Sequence, residues 1–505
     1  SLCATCHDVS NPVLANLTFG DDPASGNKAA EVHSAASYFH LERTFSEFQL
    51  SAYGQYGGAP TNPTMAAAGV SWAHACQDCH MPRVTGKLCD KNNVPVRTDA
   101  AFHDLTGGNA WMSRILASVD QANNNPDFDQ DNYDILSGLI DVNGLQKSAP
   151  ALRDGEQRAL ANLRRAADIV VVSESDTEAT VRIVNNTGHK LISGFPEGRR
   201  MWLNVRFIDP SGNSPPEFAG AEINPYEDLV TSGSGATLAY VSGGDLAVNR
   251  DDLVYEAHMS TSMAGANGST GPEDPRKTFH MVLSTDRYKD NRIPPKGFDL
   301  SQANGRLVQP RWNDADSPDY FSAAEYSGGY DEVTFRKPPG AAGWVATLYY
   351  QTTSHDYIAF LRDEINGTGG TLASPTPSGE ANAYIVQSAE EPSATFFAGL
   401  KTWGDAIWDL WLHNDAAPPV YMTAAISRPI GMALTTAGQD VHIHFETIVG
   451  RTYAVEVSPD LVPGSWEAID PPLSGDGNRA DVVDPAGLDN ARRFYRVVST
   501  QTVTP

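Results

Sequence analysis

Four of the five cysteines in this 505-residue chain fall in two copies of one pattern, Cys3-Ala4-Thr5-Cys6-His7 and Cys76-Gln77-Asp78-Cys79-His80. A Cys-x-x-Cys-His segment is the attachment site of a c-type haem: the two thiols add across the porphyrin vinyl groups, and the histidine that follows reaches the iron. A zinc site built from four thiolates needs no histidine after each pair, and a thioredoxin-like dithiol needs a βαβ setting that these polar flanks do not supply. The pattern therefore implies two covalent haems tethered by Cys3, Cys6, Cys76 and Cys79, with His7 and His80 as proximal ligands. Because such cofactors replace much of an apolar core, the segment that carries them is expected to be short helices and loops.

Composition narrows the partners. The chain has 62 acidic against 36 basic side chains, a formal charge of −26, so nucleic acid and anionic membranes are repelled. No run approaches the roughly 18 apolar residues of a membrane-spanning helix. No charged-then-apolar leader opens the sequence, although bacterial c-type haem is attached outside the cytoplasm. The sequence thus reads as the mature or trimmed form of an exported protein of the periplasm, cell surface or extracellular space. Its expected partners are redox proteins or adjacent cytochrome subunits.

At this length two to four units are expected. Residues 1–120 form the haem segment, and residues 121–172 an acidic loop with a connecting helix, whose Leu160, Leu163 and Ala167 fall at helical spacing. From Ile169 the period changes to alternation, as in 179–184, 201–208, 254–258, 278–283 and 343–350. Many short strands joined by Gly- and Pro-rich turns predict a β-sandwich over 173–425, with helical inserts at 356–363 and 397–413. A small all-β module is expected over 426–505, from strands at 441–445, 452–457 and 493–498. The fold class is therefore multidomain: a mostly helix-and-loop multihaem cytochrome c domain, an all-β sandwich and a C-terminal all-β module.

Each iron also needs a sixth ligand: a second histidine gives electron transfer, a methionine raises the potential, and an open position permits chemistry. Within the first 110 residues stand four spare histidines, His33, His40, His74 and His103. His33 and His40, seven apart in an Ala- and Ser-rich run, would share one face of a helix. His103 precedes Gly107-Gly108, where backbone could pass close to a porphyrin. Bis-His ligation is expected for both haems, with His103 first and His40 or His74 next. Met65, Met81 and Met112 read as packing residues, and Cys89 as a lone thiol.

Several runs carry a resemblance. Leu2 to Pro12, Glu42-Arg43-Thr44-Phe45-Ser46-Glu47-Phe48, Cys76 to Pro82 and His103 to Asn109 resemble the C-terminal haem section of bacterial multihaem c-type cytochromes. Asn186-Thr187-Gly188-His189-Lys190-Leu191 to Arg200, Tyr288 to Phe298 and Tyr349 to Ser354 resemble the β-sandwich appended to such proteins. The resemblance covers residues 1 to about 425. It implies that the loop bearing His189 faces the haem segment, which adds His189 to the candidate iron ligands. In the family further haem motifs precede the Cys-Ala-Thr-Cys-His segment. The resemblance therefore implies that at least one of His33, His40, His74 and His103 ligates a haem attached elsewhere, in a larger cytochrome, a docked subunit or an extracellular filament.

Two weaker patterns remain. Asp127, Asp129, Asp131 and Asp134 alternate as in the first half of a calcium loop, but position twelve is Gly138, not Glu. His442 and His444 alternate on one strand face, with no third ligand near them in sequence. The reading is an exported electron carrier. Its rivals are a catalytic multihaem oxidoreductase acting on nitrogen or sulfur compounds, and a surface-binding β protein with structural haems.

Overall fold

The protein is described by a computed structural model that covers residues 2–10, 40–121, 125–145, 148–209, 218, 230–232, 235–237, 253–260, 277–279, 286–366, 394–414, 417–427, 432–449, 451–459, 465–485, 487–489 and 492–501. His33 lies outside these residues, as does most of the expected strand at 278–283.

The haem segment is indeed short pieces. The first motif sits on the 3-10 turn Leu2–Thr5, and the second forms the one-turn helix Cys76–His80. Between them lie the helices Thr44–Gln49 and Pro63–Ala67 and a few two- and three-residue strands. His40 opens one of these, His40–Glu42, which pairs with Val9–Ser10. The helical face expected to join His33 and His40 is therefore not formed at His40, whose backbone is held extended by the strand that follows the first motif.

The expected connecting helix spans Ala149–Ala166, with Pro150 in its first turn, where a missing N–H costs nothing, and Ala159 and Leu163 buried. It runs directly into the strand Ala167–Glu174, so the β region starts at 167, earlier than the expected 173. That strand pairs with Glu178–Asn185, which pairs with Tyr330–Arg336, giving a three-stranded antiparallel sheet. An eight-stranded sheet runs in the order Ala315–Asp316, Arg311–Trp312, Asp286–Asp290, Val254–Ser260, Arg200–Ile208, Gly343–Gln351, Val420–Ile426, with Lys277–Thr278 added to Val254–Ser260. Both sheets supply one core: Val181, Ile183, Val333 and Phe335 from the smaller, and Leu203, Val205, Phe207, Trp344 and Leu348 from the larger. Phe335 meets Phe207 and Trp344 edge-on at centroid distances of 6.1 and 5.1 Å, the favoured aromatic geometry.

A second core crosses the expected boundaries. Trp111, Ile115 and Val119 of the haem segment, Leu136 and Val142 of the acidic segment, and Ile358, Leu410 and Trp411 of the expected inserts bury one another. Helices from three sequence stretches thus form one apolar cluster, because each offers a single apolar stripe too narrow to bury alone. Met112 packs against this cluster, and Met65 is buried. The C-terminal residues form two small sheets, Ala433–Ala437, Asp440–Glu446 and Arg479–Asp484, and a four-stranded one centred on Arg451–Ser458. Their shared core is Val441, Ile443, Phe445, Tyr453, Val455 and Val482. No helix among the described residues is long and apolar enough to cross a membrane.

Candidate haem-binding site

The two motifs, far apart in sequence, come together. All five cysteines are free thiols. Burial pushes the Cys76 thiol up to about 11, and the Cys3 thiol, within hydrogen-bonding reach, adds to the shift. Burial also raises Cys79 to about 11, against the opposing charge of Arg165. Cys79 packs beside Phe48, Tyr53, Ala59 and Ala73. The Tyr53 hydroxyl is buried without a hydrogen-bond partner among the described residues, and its pKa is pushed up to about 12 by burial and by nearby Cys79.

Three imidazoles converge at this place, each held the same way. His7 Nδ1 lies 2.7 Å from Glu42 Oε1, His80 Nδ1 lies 3.2 Å from the Thr106 carbonyl, and His189 Nδ1 lies 3.0 Å from the Lys190 carbonyl. A carbonyl or carboxylate oxygen only accepts, so Nδ1 carries the proton and the Nε2 lone pair is left for a metal. This is the arrangement in which protein histidines ligate metals, the outer hydrogen bond fixing tautomer and ring orientation. Burial lowers the pKa of both His80 and His189, and each is lowered further by neighbouring imidazoles, so both are neutral near pH 7.

His80 and His189 face one another with ring centroids 6.3 Å apart and planes 19° from parallel. That separation is too large for close stacking. Two imidazoles on opposite sides of one metal, each with a bond of about 2 Å and its ring centre roughly 1 Å further out, would have centroids about 6 Å apart. The donor set, the free thiols and the orphaned Tyr53 hydroxyl all fit c-type haem.

The backbone explains why His189 stands here. Asn185, at the end of its strand, donates to the His189 and Ile293 carbonyls at 2.8 and 3.0 Å and accepts from the Thr187 N–H and hydroxyl. Gly188 passes so close to the haem segment that a Cβ there would lie 2.9 Å from the Phe48 ring. Next to it a buried charge cluster locks the two parts together. Glu47 Oε1 accepts from Arg292 at 2.9 Å, and Glu47 Oε2 from the Lys190 N–H at 3.1 Å and the Ser193 hydroxyl at 2.7 Å. Arg292, Lys190 and Arg287 in turn surround Asp290, whose carboxyl they hold far below the usual range against its burial. Glu47, Lys190, Asp290 and Arg292 all fall in the runs that carry the family resemblance, but nothing in the sequence showed that they meet.

The other candidates stand apart. His74 is exposed and pairs with Asp78 at 3.0 Å. His103 is exposed as well; its run contributes to the site through the Thr106 carbonyl, which also accepts from Asn162 at 2.7 Å. Cys89 lies on an exposed turn. The acidic stretch is not an open loop. Asp129 caps the helix Gln130–Ser137 through the Asn132 N–H and pairs with His413 at 2.8 Å, while Asp134 accepts from Gln130. The carboxylates that converge there are Asp129 and Asp131, with His413; Asp127 and Asp134 are not in that group.

No family model matches the chain, and no curated protein matches it. Among solved structures it is similar to the crystal structure of a penta-haem cytochrome c552 from Thermochromatium tepidum, with a TM-score of 0.31 and 12% identity, over 84% of this chain and 54% of that one. The chain thus spans about half the length of that cytochrome.

Proposed function

We propose that the chain is an exported c-type haem protein that carries electrons. Cys3 and Cys6, and Cys76 and Cys79, tether one haem each. His7 and His80 are the proximal ligands, and His189 completes the coordination of the iron held by His80. The observation that carries this reading is the His80–His189 pair, 6.3 Å apart with both Nδ1 atoms tied to backbone carbonyls. When bound, the haem supplies reversible one-electron chemistry. The chain's own part would be to offer His80 and His189 as two neutral imidazole ligands for one iron, which would close it to substrates and favour electron transfer over catalysis. Contact between the two motifs keeps the haems close enough for transfer between them. Exposed His103, and His74 through the nitrogen that does not face Asp78, could meet haem on a neighbouring cytochrome subunit, as expected of a larger haem assembly.

Mass spectrometry of the denatured chain should show about two haem masses on one polypeptide. The reduced protein should bind at most one carbon monoxide per chain, at the iron held by His7, and His189→Ala should bind one more. A His189→Ala protein that binds no more carbon monoxide than wild type, with His103→Ala opening the iron instead, would refute the assignment.

A further inference from the structure

Remote from the haem motifs in sequence, the C-terminal sheets bring together three side chains of metal-binding type. His442 and His444, at i and i+2 on the strand Asp440–Glu446, stand on one face. The register sets Asp481 of the strand Arg479–Asp484 directly opposite His444, 39 residues beyond His442. The Asp481 carboxylate lies 3.0 Å from His442 Nδ1 and 3.4 Å from His444 Nδ1. The two rings are 6.0 Å apart and 18° from parallel, and one donor atom from each of the three residues lies within 4.8 Å of the others.

We propose that His442, His444 and Asp481 form a site for a divalent transition-metal ion of the zinc and copper class. Donors on a tetrahedral ion with bonds of about 2.0–2.1 Å stand roughly 3.3 Å apart, and the two nitrogen-to-carboxylate separations fall on either side of that value. The outer nitrogen of His444, Nε2, lies 2.9 Å from the Thr435 hydroxyl on the neighbouring strand Ala433–Ala437. The Thr435 hydroxyl can accept from Nε2, and a metal that takes the Nδ1 position would leave the His444 proton there, the supporting contact that metal-ligating histidines normally have. Val441, Ile443 and Phe445 hold the other face of the same strand in a core, so the donors sit on a rigid element. Two nitrogens and one carboxylate suit zinc or copper and not calcium or magnesium, which take oxygen. Three protein ligands leave a position open to water or to a donor from another molecule. The group Asp129, Asp131 and His413 differs in kind: it offers a single imidazole, with a carboxylate against each of its nitrogens at 2.8 and 3.5 Å, and so lacks a second nitrogen ligand.

The test uses the full haem-loaded chain, stripped with chelator and dialysed against micromolar zinc, with zinc per chain measured by mass spectrometry. Wild type should retain one zinc more than the double variant His442→Ala/His444→Ala and than Asp481→Asn. Thr435→Val should weaken that equivalent about 10-fold or more, and His413→Ala should leave it in place. The haem spectrum and far-ultraviolet circular dichroism of the variants should match wild type, which separates loss of a ligand from misfolding. Independently, zinc should protect His442 and His444 from diethyl pyrocarbonate. Equal zinc retention by wild type and the double variant, or no protection, overturns the proposal.

Discussion

Replacing Glu47 by Ala should destabilise the protein and loosen its haem ligation together. Glu47 is fully buried and accepts from Arg292, the Lys190 N–H and the Ser193 hydroxyl. Without it, Arg292 loses one of its two carboxylate partners, while Asp290 keeps its contacts with Lys190, Arg287 and Arg292. Removing one partner of a buried ion pair leaves uncompensated charge and costs about 3–5 kcal/mol. The Lys190 N–H, freed from Glu47, is adjacent to His189, so the loop should lose its hold on the iron. Glu47→Gln keeps acceptor capacity toward Lys190 and Ser193 and should cost about half as much. The double variant Glu47→Leu/Arg292→Met removes both charges and should cost less than Glu47→Ala. The assay is urea unfolding followed by both tryptophan fluorescence and the Soret band, since a cofactor-bearing chain of several units need not unfold in one step, with carbon monoxide binding measured on the reduced protein. A midpoint shift worth less than about 1 kcal/mol, with the iron still closed, would show that Glu47 does not hold the two parts together.

Three further outcomes follow from the same structure. Burial, reinforced by Glu256, raises the Glu197 carboxyl from 4.5 to about 8. It is thus neutral when folded and ionised when unfolded between those values, and its contribution to stability, full below pH 4.5, is lost as pH rises to 8, by about 1.4 kcal/mol per unit at most; thermal melts of Glu197→Gln should show a flatter fall over that window. Gly188→Ala places a Cβ 2.9 Å from the Phe48 ring and should cost about 1–3 kcal/mol, with partial carbon monoxide binding beyond that of wild type in the reduced spectrum. Trp344, fully buried between the two sheets, should cost about 3–5 kcal/mol when replaced by Ala, read as a lowered midpoint with the haem count unchanged.

The sequence was most legible where a short period decides the outcome. Alternation located the strands Arg200–Ile208, Gly343–Gln351 and Asp440–Glu446, and helical spacing located Ala149–Ala166. The Cys-x-x-Cys-His motifs marked His7 and His80 as candidate ligands without reference to any fold, and the structure brings Cys3 and Cys76 of the two motifs within hydrogen-bonding reach. The pairing of His80 with His189 had no local signal beyond the family resemblance, because it depends on the Gly188 loop docking against Phe48; the Gly107-Gly108 turn instead favoured His103. Asp481 stayed hidden for the same reason, being brought to His442 and His444 only by strand register. The acidic stretch misled because alternating aspartates read alike whether they line a loop or cap a helix, and Asp129 caps one. His40 misled because an Ala- and Ser-rich run suits a helix until the strand Val9–Ser10 claims its end.

The placement of His189 on a loop between two sheets bears on how the holoprotein matures. Thioether bonds can form on an extended chain, since each motif is five residues long, whereas His189 reaches His80 only after the β region has folded and docked. During that interval the porphyrin of the second motif is held by one imidazole, and His103 is 23 residues from His80 while His189 is 109 away. Closing the shorter loop is favoured by about 1.4 kcal/mol of chain entropy. On the proposed ligation, His103 would compete with His189 for that iron before the β region docks. The buried Glu47–Arg292 contact, made only when the two parts have docked, would then favour His189 over His103.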